Sequence, residues 1–148
     1  MDRIHSWLIS SAVTDPELKH LLSTTKTIAV FGCSAAPSKA SYHVAAYLQA
    51  QGYRMVPVSP RGGEILGETV YPDLASIPFP VDLVDVFRPP ADCPPVAEQA
   101  VAIGAKTLWL QLGIVSAEAA AIAAAGGLAV VMDRCTLIEH RRLGLDRG

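Results

Sequence analysis

The sequence predicts an α/β protein: a doubly wound, Rossmann-like three-layer sandwich on a mostly parallel sheet of five or six strands. Three observations predict it. Short apolar runs recur at 28–31, 55–58, 81–87, 107–112 and 128–132. Segments with helical punctuation separate most of them. Half of the chain, 51% of 148 residues, is apolar, with Ala, Val and Leu dominant, as expected of strands covered on both faces.

Each element has its own warrant. Residues 1–26 read as a helical accessory segment, with Asp15-Pro16 as a capping oxygen followed by proline at the first helical position and Leu18, Leu21 and Leu22 on one stripe. Ser41 opens a helix whose Val44, Tyr47 and Leu48 share a face and which Gly52 stops. Pro94-Pro95 precede a helix over 96–103 that ends at Gly104. Ser116 caps an alanine-rich helix over 117–125, terminated by Gly126-Gly127. The stretch 60–80 breaks the rhythm with Arg61-Gly62-Gly63 and Leu66-Gly67; a short edge strand is expected over 69–71 and a brief helix over 74–77.

Size and charge bound the function. A chain of 148 residues is expected to be one domain, able to bury a core without disulfides or metal. A formal net charge of −2 gives no general attraction to nucleic acid or anionic membrane, so an anion site must be local. Cys33, Cys93 and Cys135 are odd in number and lack C-x-x-C spacing, which argues against a disulfide framework or zinc and fits a reducing cytoplasm. The N-terminal residues mix Asp2, His5 and Ser6 with apolar ones and read as no targeting signal. Trp7, Leu8 and Ile9 could mask a face or join a partner subunit or a second copy.

The most informative stretch is 27–51. A buried strand runs into Gly32, then Cys33, Ser34, Pro37, Ser38 and Lys39, then a helix opening near Ser41. A small-residue loop between strand and helix N-terminus is a phosphate cradle: free amides and the positive end of the helix dipole converge there, and Lys39 adds a full charge. Gly32 alone also fits the tight turn that every doubly wound domain needs; Lys39, among small residues just before a helix, is the more telling of the two. At the other strand ends stand Val58, Ser59, Pro60 and Arg61, then Phe87, Arg88 and Pro89, then Gln111, Leu112, Gly113 and Ile114, then Asp133, Arg134 and Cys135. Glycine admits phosphate to the backbone, proline walls a flat ring, and arginine pairs with phosphate.

Two absences narrow the ligand. A nicotinamide dinucleotide site carries G-x-G-x-x-G and an acidic residue at the end of the second strand; here the loop has one glycine and Arg61 stands near that strand end, which suits a phosphorylated ribose. There is no G-x-x-x-x-G-K-[ST] for a nucleoside triphosphate. Catalytic constellations are equally thin. His5, His20, His43 and His140 have no partner at metal-ligand spacing, and His43 reads as an exposed helical residue. Glu139-His140 reads as a surface or packing feature. Asp85, inside an apolar run, reads as a structural acceptor for backbone donors, and Asp133-Arg134 as an internal ion pair ordering its loop.

The ordered series Gly32 with 37–41, Pro57 to Pro60, Ile65 to Glu68, Val84 to Arg88, Trp109 to Ile114 and Val131 to Cys135 resembles the small single-domain bacterial CoA-binding proteins. These are similar to the N-terminal CoA-binding domain of the succinyl-CoA synthetase alpha subunit. The resemblance spans about 27–143. It implies coenzyme A, or an acyl-CoA, lying across the strand ends: diphosphate on 32–41, adenosine near 57–61 and 87–89, and the pantetheine arm along 111–114 toward 133–135. The synthetase's phosphorylated histidine belongs to a second domain this chain lacks, so a non-catalytic binder is implied. A Rossmann-type NAD(H) binder, acting as redox sensor or enzyme subunit, is the alternative. Cys135 or Cys33 could form a mixed disulfide with CoA, against the simpler reading of small buried residues.

Overall fold

A computed structural model describes residues 13–146; the N-terminal readings on residues 1–12 lie outside them. Five strands form one parallel sheet: β1 (Thr27–Phe31), β2 (Arg54–Val58), β5 (Leu83–Val86), β6 (Thr107–Leu110) and β7 (Ala129–Val131), in the order β2-β1-β5-β6-β7. Two two-residue strands, β3 (Glu64–Ile65) and β4 (Glu68–Thr69), make a separate antiparallel hairpin.

Alternation of side chains along each strand sorts the core into two layers. Ile28, Val30, Met55, Leu83, Trp109 and Val131 face α1 (Asp15–Thr24), α2 (Ala40–Ala50) and α5 (Thr136–Arg142). Ala29, Val56, Val84, Val86, Leu108, Leu110 and Val130 face α3 (Cys93–Ala102) and α4 (Ala117–Ala125). The chain winds from β1 outward to β2, then returns across β1 to β5. Right-handed crossovers in opposite directions put helices on opposite faces, and the strand order reverses between β1 and β5. Ligands of doubly wound sheets bind outside the carboxyl ends of the strands at such a point.

Several boundaries differ from expectation. The cap of α1 is Thr14, whose hydroxyl accepts from the Glu17 amide at 3.2 Å while Glu17 accepts from the Thr14 amide at 2.9 Å; Asp15 lies one position inside. Helix α3 begins at Cys93 after a 3₁₀ turn, Pro90–Asp92, so Pro94 and Pro95 occupy its first turn, where no amide is needed. The expected helix at 74–77 is a turn, with the Ile77 amide on the Leu74 carbonyl at 3.1 Å and Asp73 capping Ser76. Pro78 explains this by disfavouring helical backbone at Ile77. The expected edge strand at 69–71 is split: Thr69 ends β4 in the hairpin, and Tyr71 makes a single parallel bridge to Val58 at the edge of β2.

Candidate functional site

The reversal point opens into a cleft of about 1130 Å³. Its floor is the end of β1. Gly32 has a φ of +85°, and a Cβ there would sit 2.8 Å from the Phe87 carbonyl oxygen and 3.0 Å from the Arg88 side chain. Only glycine allows β1 and β5 to approach so closely as they part. Gly32, Cys33, Ser34, Lys39, Val58, Ser59, Pro60, Arg61 and Arg88 line the cleft. Lys39, Arg61 and Arg88 supply three cations from three different strand ends.

The cradle is wired differently from the expected array of free amides. The amides of Gly32 and Cys33 both donate to the Val58 carbonyl, at 2.9 and 3.3 Å. The Ser34 amide donates to Ser41 Oγ at 2.9 Å, and the Ala36 amide to Ser34 Oγ at 3.0 Å. These bonds stiffen the loop rather than serve an anion. What remains is the start of α2, where Lys39 is the N-cap and makes no side-chain capping bond. The first-turn amides and the dipole therefore face outward beside the Lys39 ammonium.

Across Arg88 lies a second cavity of about 500 Å³, lined by Ala40, Val44, Phe87, Pro89, Gln111, Leu112, Ile114, Cys135 and Ile138, with Arg88 common to both. Arg88 reaches the Asp92 carboxylate at 2.6 Å along one turn. Five anticipated residues line neither cavity. Pro37 and Ser38 are exposed on the outside of the loop, and Ser41 is buried with its hydroxyl given to the loop amide. The Gly113 amide donates to Asp133 at 2.7 Å, and Arg134 pairs with Glu139 at 3.1 Å while its carbonyl accepts from Trp109 Nε1 at 2.7 Å. Asp133 and Arg134 thus order their loop through separate partners instead of with each other. Asp92 and Gln99, which line the cleft, were not anticipated; the only local signal was the spacing of four between Arg88 and Asp92.

Beneath the second cavity a polar knot is fully enclosed. Gln111 Nε2 donates to Asp85 Oδ1 at 2.6 Å and to Thr136 Oγ1 at 3.0 Å, and Thr136 Oγ1 donates to Asp85 Oδ2 at 2.9 Å. Asp85 is a structural acceptor, but for side chains rather than the expected backbone donors. Burial pushes its carboxyl up to about 7, against the opposing pull of the Gln111 and Thr136 hydrogen bonds. Burial, reinforced by Asp85, pushes the Cys33 thiol up to about 11, and burial also raises Cys93 and Cys135. Thiols held protonated are poor nucleophiles, which favours packing over mixed-disulfide chemistry. His140 is buried with Nδ1 2.7 Å from the Tyr47 hydroxyl, tying α5 to α2, and Glu139 is buried between Arg134 and Arg142, so the pair packs helices and is not a surface feature. His43 is exposed on α2.

Such a fold, with cations gathered at the reversal point and no carboxylate closing the β2 end, defines a Rossmann-like domain of the kind that binds anionic, nucleotide-like molecules. Comparison with known proteins makes this more specific. A family model, the CoA binding domain, matches residues 26–141, and the chain belongs to that family. It is 37% identical over 124 residues to the protein YneT of Bacillus subtilis (strain 168), covering 84% of this chain and 92% of the relative. A solved structure from Thermus thermophilus is 42% identical with a TM-score of 0.84, over 88% of this chain and 98% of the other. A dinucleotide-forming acetyl-coenzyme A synthetase 1 from Ca. Korarchaeum cryptofilum shares 25% identity and a TM-score of 0.63 over 71% of this chain and 25% of its own. Among the described residues no helix is long and apolar enough to cross a membrane.

Proposed function

We propose that this protein binds coenzyme A or an acyl-CoA across the carboxyl ends of its strands without chemically transforming it. The observation that carries the reading is that Lys39, Arg61 and Arg88 line one cleft at the reversal point, with Lys39 itself at a helix start that no side chain caps. CoA is a nucleotide with three phosphates and a long uncharged arm, and this arrangement supplies charge for the first part and a groove for the second. Family membership supports it independently. In this reading the first turn of α2 and Lys39 hold the diphosphate, Arg61 the ribose phosphate, and Arg88 stands between nucleotide and arm. The arm then passes Phe87 and Pro89 toward Leu112, Ile114 and Cys135. Gln111 supports the groove from below, its amide being held by Asp85 and Thr136. The unpaired thiols Cys33, Cys93 and Cys135 suit a reducing cytoplasm.

Titration calorimetry with CoA, acetyl-CoA and NAD(H) tests it. CoA is expected to bind, and Lys39→Ala to weaken it by about 1 to 3 kcal/mol, the contribution of a charge-assisted bond. Failure of CoA and acetyl-CoA to bind at millimolar concentration, with NAD(H) binding at micromolar, would reverse the assignment in favour of a dinucleotide. No loss on Lys39→Ala would discard the role of that residue.

A further inference from the structure

The two cavities differ in character. Three cations, Lys39, Arg61 and Arg88, line the cleft, whereas Arg88 is the one charged residue lining the groove beyond it, which is walled by Val44, Phe87, Leu112, Ile114 and Ile138. Its one fully enclosed amide, Gln111, already bonds to Asp85 and Thr136. Among the described residues the exposed large apolar side chains are Leu112, Val115 and Ile138, at 62%, 53% and 49%. Two of these three, from β6's following loop and from α5, line the same groove. Paired exposure of this kind at the lip of a cavity marks a binding surface rather than scatter.

We propose that the α5 side of this groove, at Val44 and Ile138 beyond the pantetheine arm, holds the acyl chain of an acyl-CoA thioester, so that the protein prefers acyl-CoA to free CoA. The inference rests on the CoA reading given above. Polarity complementarity along the site selects the occupant. A ligand spanning both cavities must be polyanionic at one end and apolar at the other, with Arg88 at the changeover. With its arm along Phe87, Pro89 and Leu112, free CoA ends in a small thiol that leaves Ile138 in water. A straight acyl chain attached to the same sulfur covers Ile138, and a cavity of about 500 Å³ is within the usual range for small-molecule pockets.

The experiment is a calorimetric series with CoA, acetyl-CoA, butyryl-CoA and octanoyl-CoA on the wild-type protein and on Ile138→Asp. Dissociation constants are expected to fall along the series, by up to about fourfold for each methylene fully buried, and Ile138→Asp to bring the ratio of octanoyl-CoA to CoA affinity close to one. Because Ile138 is half exposed, the variant should fold; Ile138→Ser gives a second reading of the same ratio. A flat wild-type series with CoA still bound overturns the acyl groove and leaves the CoA reading standing. No binding of any member overturns both. If Ile138→Asp converts a dimer to a monomer in sedimentation while the ratio is unchanged, the patch is an interface between copies and the inference is wrong.

Discussion

The two layers of helices flanking the sheet are built from different chemistry. The α3/α4 layer packs Val96, Ala97, Ala100, Ala119, Ala120 and Ala123 on a wholly apolar sheet face. The α2/α5 layer encloses Asp85, Thr136, Glu139 and His140 among its apolar residues. Small side chains bring α3 and α4 so close that a Cβ on Gly126 would lie 2.6 Å from Val101. The comparison separates two jobs. One layer secures the sheet, and the other encloses polar groups, of which Asp85 is held by Gln111 beneath the second cavity.

The largest effect should come from breaking the apolar layer. Leu108→Ala, at a fully buried position on that face, is expected to cost about 2 to 5 kcal/mol, read as a lowered urea midpoint with little dependence on pH. A cost that varied strongly with pH would mean the two layers are not independent.

Asp85 gives the complementary test. Its folded-state value of about 7 lies above the usual carboxylate value near 4. The folded chain therefore keeps the proton to higher pH than the unfolded chain does, and stability is fully present below about pH 4 and declines as pH rises through 7. The loss by pH 8 is on the order of a few kcal/mol. Asp85→Asn should flatten this slope, leaving stability at pH 5 close to wild type and raising it at pH 8. Urea melts at the two pH values check it, and an unchanged slope would assign the pH dependence elsewhere.

Gly32→Ala probes the boundary between strands and site. Positive φ and the close Phe87 carbonyl predict a cost of about 1 to 3 kcal/mol, together with weakened CoA binding, because β1 and β5 must separate to admit the methyl group. The smallest effect is expected from Arg142→Ala. Arg142 bridges Asp15 of α1 and Glu139 of α5 at 2.8 and 2.7 Å, and its hydrogen bond holds the Asp15 carboxyl below the usual range. The Asp15 pair is fully solvated, and Glu139 keeps Arg134, so melting should shift only slightly, and less still in molar salt.

Much of this was legible in the chain. Apolar runs placed all five parallel strands, and glycines and prolines bracketed the central helices, because those signals are local. The strand ends named residues that line both cavities, including Arg88, but not Val44, Asp92, Gln99 or Ile138. What escaped was set by long-range pairing. The partners of Asp85 lie 26 and 51 residues away, and the amides of Gly32 and Cys33 are taken by Val58, on a strand reached only after the intervening helix. Ile138 escaped because it stands on α5, three residues beyond the strand-end stretch that closes at Cys135. The turn at 74–77 was a local misreading: Pro78 carried the signal.

The Arg88–Asp92 pair has a further consequence. Under the proposed binding, a phosphate drawn to this rim would meet a guanidinium that already has an anionic companion at the end of the following 3₁₀ turn, so association there would be a trade of one oxyanion for another. Selectivity at this point then depends on how well an incoming group competes with a tethered carboxylate. A substitution at position 92 would retune the charge at the mouth of the cleft without altering Lys39, Arg61 or Arg88.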